Sequence, residues 1–140
     1  MGSMSMSSRA AVNPSSGWTD KLTYSAAVRG GGLLFLSGMT ASGPDGRVVC
    51  EGDMAGQARF IYAEKMLPIL RAAGLGFGDV VETIDYVTTF EGYDRTAQVR
   101  REIFGGAPYP AATGVQVAGL IRRGALIEIR AIAAYPERCQ

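Results

Sequence analysis

The sequence predicts an α+β fold, with one mixed sheet carrying two helices on a single face. Three observations lead there. Short apolar and β-branched runs, bounded by glycine and proline, recur along the chain and read as strands. Two segments between them, about 54–73 and 94–104, read as helices. The resulting order, β-β-α-β-α-β-β, has few helices and a mostly non-alternating connection pattern, which favours a sheet covered on one side. The other sheet face then needs cover. On a chain of only 140 residues, that predicts association with further copies.

Bulk properties narrow the function classes. The 14 basic and 13 acidic residues nearly cancel, so nothing suggests general binding to nucleic acid or to an anionic membrane. Histidine is absent, which removes a Ser/His triad and any His-liganded metal site. Acid–base work would fall to Glu, Asp, Tyr or Cys. Cys50 and Cys139 form no CxxC pair, so neither a zinc site nor a redox motif is indicated, and a reducing, cytoplasmic setting is expected. No apolar run reaches membrane-spanning length.

Residues 1–20, rich in Ser and Met, read as a flexible N-terminal arm, with MGSMSMSS suggesting in part a cloning remnant and Trp18 suited to tacking the arm down. One domain is expected over 21–136, and 137–140 is a tail. Leu22–Val28 and Leu33–Ser37 flank Gly30-Gly31-Gly32 as a hairpin. The triple glycine lacks the Lys-Ser/Thr ending of a phosphate loop. Pro44-Asp45-Gly46 marks a turn, and Asp53 is a good N-cap for the first helix. Ala58, Ile61, Tyr62, Met66, Ile69, Leu70 and Ala73 form its apolar stripe. Pro68 predicts a kink, or a helix end near Leu67, and Gly74 a C-cap. Val80–Phe90 is the longest strand candidate, with Asp85 the odd member of the face it shares with Val81, Thr83 and Val87: exposed, partnered, or lining a site. Arg95, Arg100 and Arg101 of the second helix read as a solvated face.

The last stretch, Pro110 to Tyr135, reads as two strands, Gly114–Ala118 and Ala125–Tyr135, joined by a basic turn. In the second, Ile127, Ile129, Ala131 and Ala133 share a wholly apolar face. Leu126, Glu128, Arg130, Ile132 and Ala134 share the other. A mid-strand carboxylate is costly to bury unless it is paired or hydrogen-bonded. Glu128 therefore points to water, pairs with Arg130, or serves chemistry.

Taken together, Tyr24-Ser25-Ala26-Ala27-Val28, Leu33 to Gly38, Asp53 to Gln57, Leu70 to Gly74, Asp79-Val80-Val81, Phe104-Gly105-Gly106 and Gly124 to Ile129 resemble the reactive intermediate deaminase (Rid, YjgF-like) family, over residues 13 to 135. The resemblance implies a chorismate-mutase-like fold and a homotrimer, barrel-like in assembly, with clefts between subunits. It implies cofactor-free hydrolysis of enamines and imines such as 2-aminoacrylate. It assigns water activation to Glu128, a cleft hydroxyl to Tyr24, a further hydroxyl to Ser37, and a water-holding backbone carbonyl to Gly114, with Thr113 beside it. The family arginine that clamps the substrate carboxylate falls on Ala112, and a helix asparagine falls near Ala97. A lost charge-assisted hydrogen bond weakens binding or rate by roughly ten- to hundredfold. The expected activity is therefore Glu-assisted hydrolysis of an imine or enamine other than the typical small amino acid derivative, unless Arg122, Arg123 or Arg130 reaches the cleft. A non-catalytic trimeric module binding a metabolite or partner is the alternative. A ribonuclease, given the balanced charge and absent histidine, has little support.

Overall fold

Seven strands and two helical rods follow one another in a computed structural model, which describes residues 9–14 and 22–137. They are β1 (Ala10–Val12), β2 (Ala27–Gly30), β3 (Leu33–Leu36), β4 (Met39–Thr40), α1 (Met54–Phe60), a π-helical turn (Ile61–Met66), α2 (Leu67–Ala72), β5 (Val80–Val87), α3 (Thr96–Phe104), β6 (Ala111–Gln116) and β7 (Ile127–Ala134). The sheet order is β1-β2-β3-β7-β5-β6, with β4 also on β7. Only β5 and β6 run parallel, so the sheet is mixed.

The period of two along β7 decides which face is buried. Ile127, Ile129, Ala131 and Ala133 are buried and join one core with Ile61, Tyr62, Met66 and Leu70 of the first helical rod and Val99 of α3. Each large apolar side chain so buried contributes about 1.5–3 kcal/mol. The opposite face carries half-exposed Leu33, Phe35, Ile84, Tyr86 and Ile132. This is the uncovered face the sequence anticipates. No helix among the described residues is long and apolar enough to cross a membrane.

Several boundaries differ from expectation. The hairpin of β2 and β3 forms, with Ala27 opposite Leu36, but β2 starts late, at Ala27. Within the stretch read as an arm, Ala10–Val12 is a strand along β2, while Trp18 lies outside the described residues, as does Cys139. The last two strands are not a hairpin. β5 lies between them, pairing parallel to β6 and antiparallel to β7. A turn of ten residues, 117–126, gives the chain the reach to cross over rather than fold back on the adjacent strand. A register shift near Val81 places Val80 in the core and leaves Val81 exposed.

Pro68 neither ends the first helix nor breaks it. It sits in the first turn of α2, where its missing N–H is tolerated, and the turn before it is π-helical, with the Leu67 N–H donating to the Tyr62 carbonyl. Gln57, fully buried on α1, ties the sheet to this rod. Its Nε2 donates to the carbonyls of Cys50 (3.3 Å) and Gly124 (3.2 Å), and its Oε1 accepts from the Leu126 N–H at 2.8 Å. This clamp sets where β7 begins.

Gln57→Leu keeps the volume and orphans three backbone groups. Chemical denaturation is expected to show a loss of about 2–4 kcal/mol, and a loss well under about 1 kcal/mol would mean those groups find other partners.

Candidate functional site

The site is built where the first sheet edge of β7 changes partner. β3 pairs with β7 as far as Phe35 opposite Ile132, and β4 resumes with Met39 opposite Ile129. Three residues, Leu36 to Gly38, span the stretch that β7 covers with Arg130 and Ala131. The extra residue is a bulge, a feature that re-aims side chains. Thr40 lies opposite Glu128, and the Glu128 side chain runs across Gly38. A Cβ on Gly38 would collide with the Glu128 carboxylate and lie 3.1 Å from its Cδ. Glycine is required there for close approach.

Glu128 opens onto a cavity of about 430 Å³, together with Tyr24, Ser37, Arg122, Lys65 and Ser42. The Ser37 hydroxyl donates to the Ser25 carbonyl at 2.7 Å, which fixes its oxygen with a lone pair still able to accept. Tyr24 is 53% exposed at the cavity rim. Glu128 forms no ion pair with Arg130 among the described residues, so the structural pairing of these two neighbours is absent. Arg130, half-buried opposite Ile84, does not line the cavity.

Of the residues singled out in the sequence, Glu128, Tyr24, Ser37 and Arg122 come together within one chain. Ala112, Thr113 and Gly114 do not join them. They lie on β6, at the far edge of the sheet beyond β5, with every residue of the strand exposed. The side-chain space of Gly114 is taken by Tyr93, whose Oη is 2.6 Å from where a Cβ would stand.

Tyr93 belongs to a second polar group. Its hydroxyl donates to Asp85 Oδ2 at 2.7 Å, and Arg100 donates to the same oxygen at 3.3 Å. Asp85 is 1% exposed. Burial pushes its carboxyl above the usual carboxylate range, against the Tyr93 hydrogen bond and the Arg100 guanidinium. Burial and the bond to Asp85 push the Tyr93 hydroxyl up to about 12. Asp85 is thus partnered and inward, and Arg100 leaves the solvated face expected of it. Among the described residues, no group of three or more His, Cys, Asp or Glu side chains is placed to hold a metal ion.

Lys65 was not singled out in the sequence, yet a signal exists. The apolar stripe of the first helix runs through 61, 62, 66 and 69, and position 65 fills the i+4 step from Ile61 and the i−4 step from Ile69. A lysine on that stripe must find a polar partner or a cavity. Burial, and then the nearby Arg122, pull its ammonium below the usual lysine range.

Comparison with known proteins agrees with this architecture. The family model described as Endoribonuclease L-PSP matches residues 19–135. RutC family protein YjgH of Escherichia coli (strain K12) is 38% identical over 116 residues, 82% of this chain and 85% of that protein. A human protein named 2-iminobutanoate/2-iminopropanoate deaminase is 30% identical over 110 residues, covering 79% of this chain and 78% of that one. The solved structure of a protein described as YJGH superposes with a TM-score of 0.80 at 36% identity, over 94% of this chain and all of that chain.

Gly38→Ala is expected to swing the Glu128 carboxylate out of its seat while leaving stability within about 1 kcal/mol, because the clash falls on the end of a flexible side chain. A crystal structure of the variant with Glu128 unmoved would contradict this.

Proposed function

The chain belongs to the endoribonuclease L-PSP family, which includes the Rid/YjgF proteins, and from that footing we propose that it hydrolyses a small imine or enamine, or a related reactive metabolite, by water attack assisted by Glu128. The observation that carries this reading is the convergence of Glu128, Tyr24 and Ser37 on one cavity. The relatives named 2-iminobutanoate/2-iminopropanoate deaminase support the reaction class.

The chemistry follows from the groups present. An enamine first takes a proton from solvent at carbon to become the iminium ion, which an imine reaches by protonation at nitrogen. Glu128 then accepts a proton from water as the oxygen adds to the imine carbon, which forms a carbinolamine. The same carboxyl returns a proton to nitrogen as the C–N bond breaks, the carbinolamine hydroxyl loses its proton to solvent, and a carbonyl product and ammonia leave. No electrons are exchanged with a cofactor. Tyr24 and Ser37 hydrogen-bond the substrate. General acid–base assistance of this kind is worth about 10²–10⁴-fold.

The second half of the site is proposed to come from a neighbour in a homotrimer. The exposed edge of β6 supports this, since Gly114 and Thr113 are separated from Glu128 of their own chain by β5. A neighbour's β6 set against the cavity would bring the Gly114 carbonyl to hold the water. Ala112 leaves that strand without a cation, so the substrate is not held as in a typical 2-aminoacrylate deaminase.

Glu128→Gln is expected to lower ammonia release from enamines generated in situ by at least a hundredfold, with little change in melting temperature. Unchanged release would remove Glu128 from the mechanism. A wild-type protein that is stabilised by ligands yet releases no ammonia from any enamine would be a binding module instead. Sedimentation should give a particle of about three times the 14.8 kDa chain mass, and a monomer at micromolar concentration would dismiss the shared site.

A further inference from the structure

Two cations face the cavity that holds Glu128. Lys65 comes from the π-helical turn and Arg122 from the segment between β6 and β7. Neither makes an ion pair among the described residues, although Glu64 and Glu128 line the same cavity. Two cations in one cavity repel each other, and a bound anion would offset that repulsion.

The Lys65 ammonium is held rather than free. It donates to the Ser42 carbonyl at 3.1 Å and to the Ser42 hydroxyl at 3.0 Å. Ser42 is itself buried and fixed, its N–H donating to the Thr40 carbonyl at 2.8 Å and its Oγ lying 3.3 Å from Thr40 Oγ1. An ammonium has three donors, and two are used. The third has no partner among the described residues, on a group that lines the cavity. The backbone beneath is unusual as well. A π-helical turn is rare and is frequently found at functional sites, and here it carries Lys65.

We propose that Lys65 and Arg122 form a carboxylate-binding subsite that anchors an imino- or enamino-carboxylate substrate, in place of a guanidinium on β6. This rests on the hydrolase reading above and names its substrate class. The anchor comes from the π-helical turn and the loop between β6 and β7, not from β6 itself. A cavity of about 430 Å³ is ample for a substrate longer than three carbons between that anchor and Glu128. Lys65 supplies a point charge pre-aimed by Ser42, and Arg122 supplies a second, planar donor set.

The test uses the full-length protein, sodium 2-oxobutanoate and its neutral methyl ester as stable mimics, and calorimetric titration. Wild type is expected to bind the carboxylate at least tenfold more tightly than the ester. Lys65→Met should erase that preference while leaving ester binding unchanged, and Lys65→Arg should keep most of it. Arg122→Gln, on an exposed segment that does not test folding, should lower carboxylate affinity severalfold. Equal loss of both ligands in Lys65→Met would show a purely structural lysine and overturn the proposal. So would full carboxylate preference in both Lys65→Met and Arg122→Gln, or no preference in wild type. Glu128→Gln separates this subsite from the reaction. It should retain the carboxylate preference while losing ammonia release. Retained release in that variant refutes the role of Glu128 and leaves the anchor standing.

Discussion

Everything at this site depends on the alternation of one strand. β7 buries Ile127, Ile129, Ala131 and Ala133 against the helices, and a period of two then commits Glu128 to the opposite face. A slip of one residue would drive the carboxylate into an apolar core and expose the isoleucines, so the register is held by the hydrophobic effect on one side. It is also held by the Gln57 clamp at Leu126, just ahead of the strand. The bulge ending at Gly38 then opens the sheet beside Glu128. Core packing therefore places the candidate acid, and a local irregularity gives it somewhere to point.

Most of the fold was legible because it is written in local patterns. The alternation in β7, the Asp53 cap with its side chain accepting from Gly56 N–H, and the glycine at 74 closing the first helical rod are all short-range signals. What failed was non-local. Nothing in the spacing of β6 and β7 reveals that β5 lies between them, because strand order is set by which faces need burial rather than by sequence neighbours. Pro68 was visible, but its consequence was not. A proline can kink a helix, end it, or open a new helical turn, and here the chain takes up the change in a π-helical turn.

The candidate site was legible in part for the same reason. Glu128 stands out as a carboxylate in an apolar strand, and Tyr24 and Ser37 follow from family resemblance. Lys65 did not stand out, because lysines on helices are ordinarily solvated. Its position on the apolar stripe matters only once Ser42 and Arg122 are seen across the cavity. Asp85 illustrates the opposite case: its oddness in the sequence was real, but its partners Tyr93 and Arg100 lie 8 and 15 residues further along.

The cavity thus sets the Glu128 carboxylate and two cations, with Glu64 beside them, around one hollow, and the proposed reacting carbon lies between Glu128 and the cations. The most direct measurement is a crystal structure of the protein soaked with 2-oxobutanoate. The account requires the ligand carboxylate on Lys65 and Arg122, with its keto carbon facing the Glu128 carboxyl. Ligand density elsewhere, or a Glu128 side chain turned out to bulk solvent in that crystal, would contradict it.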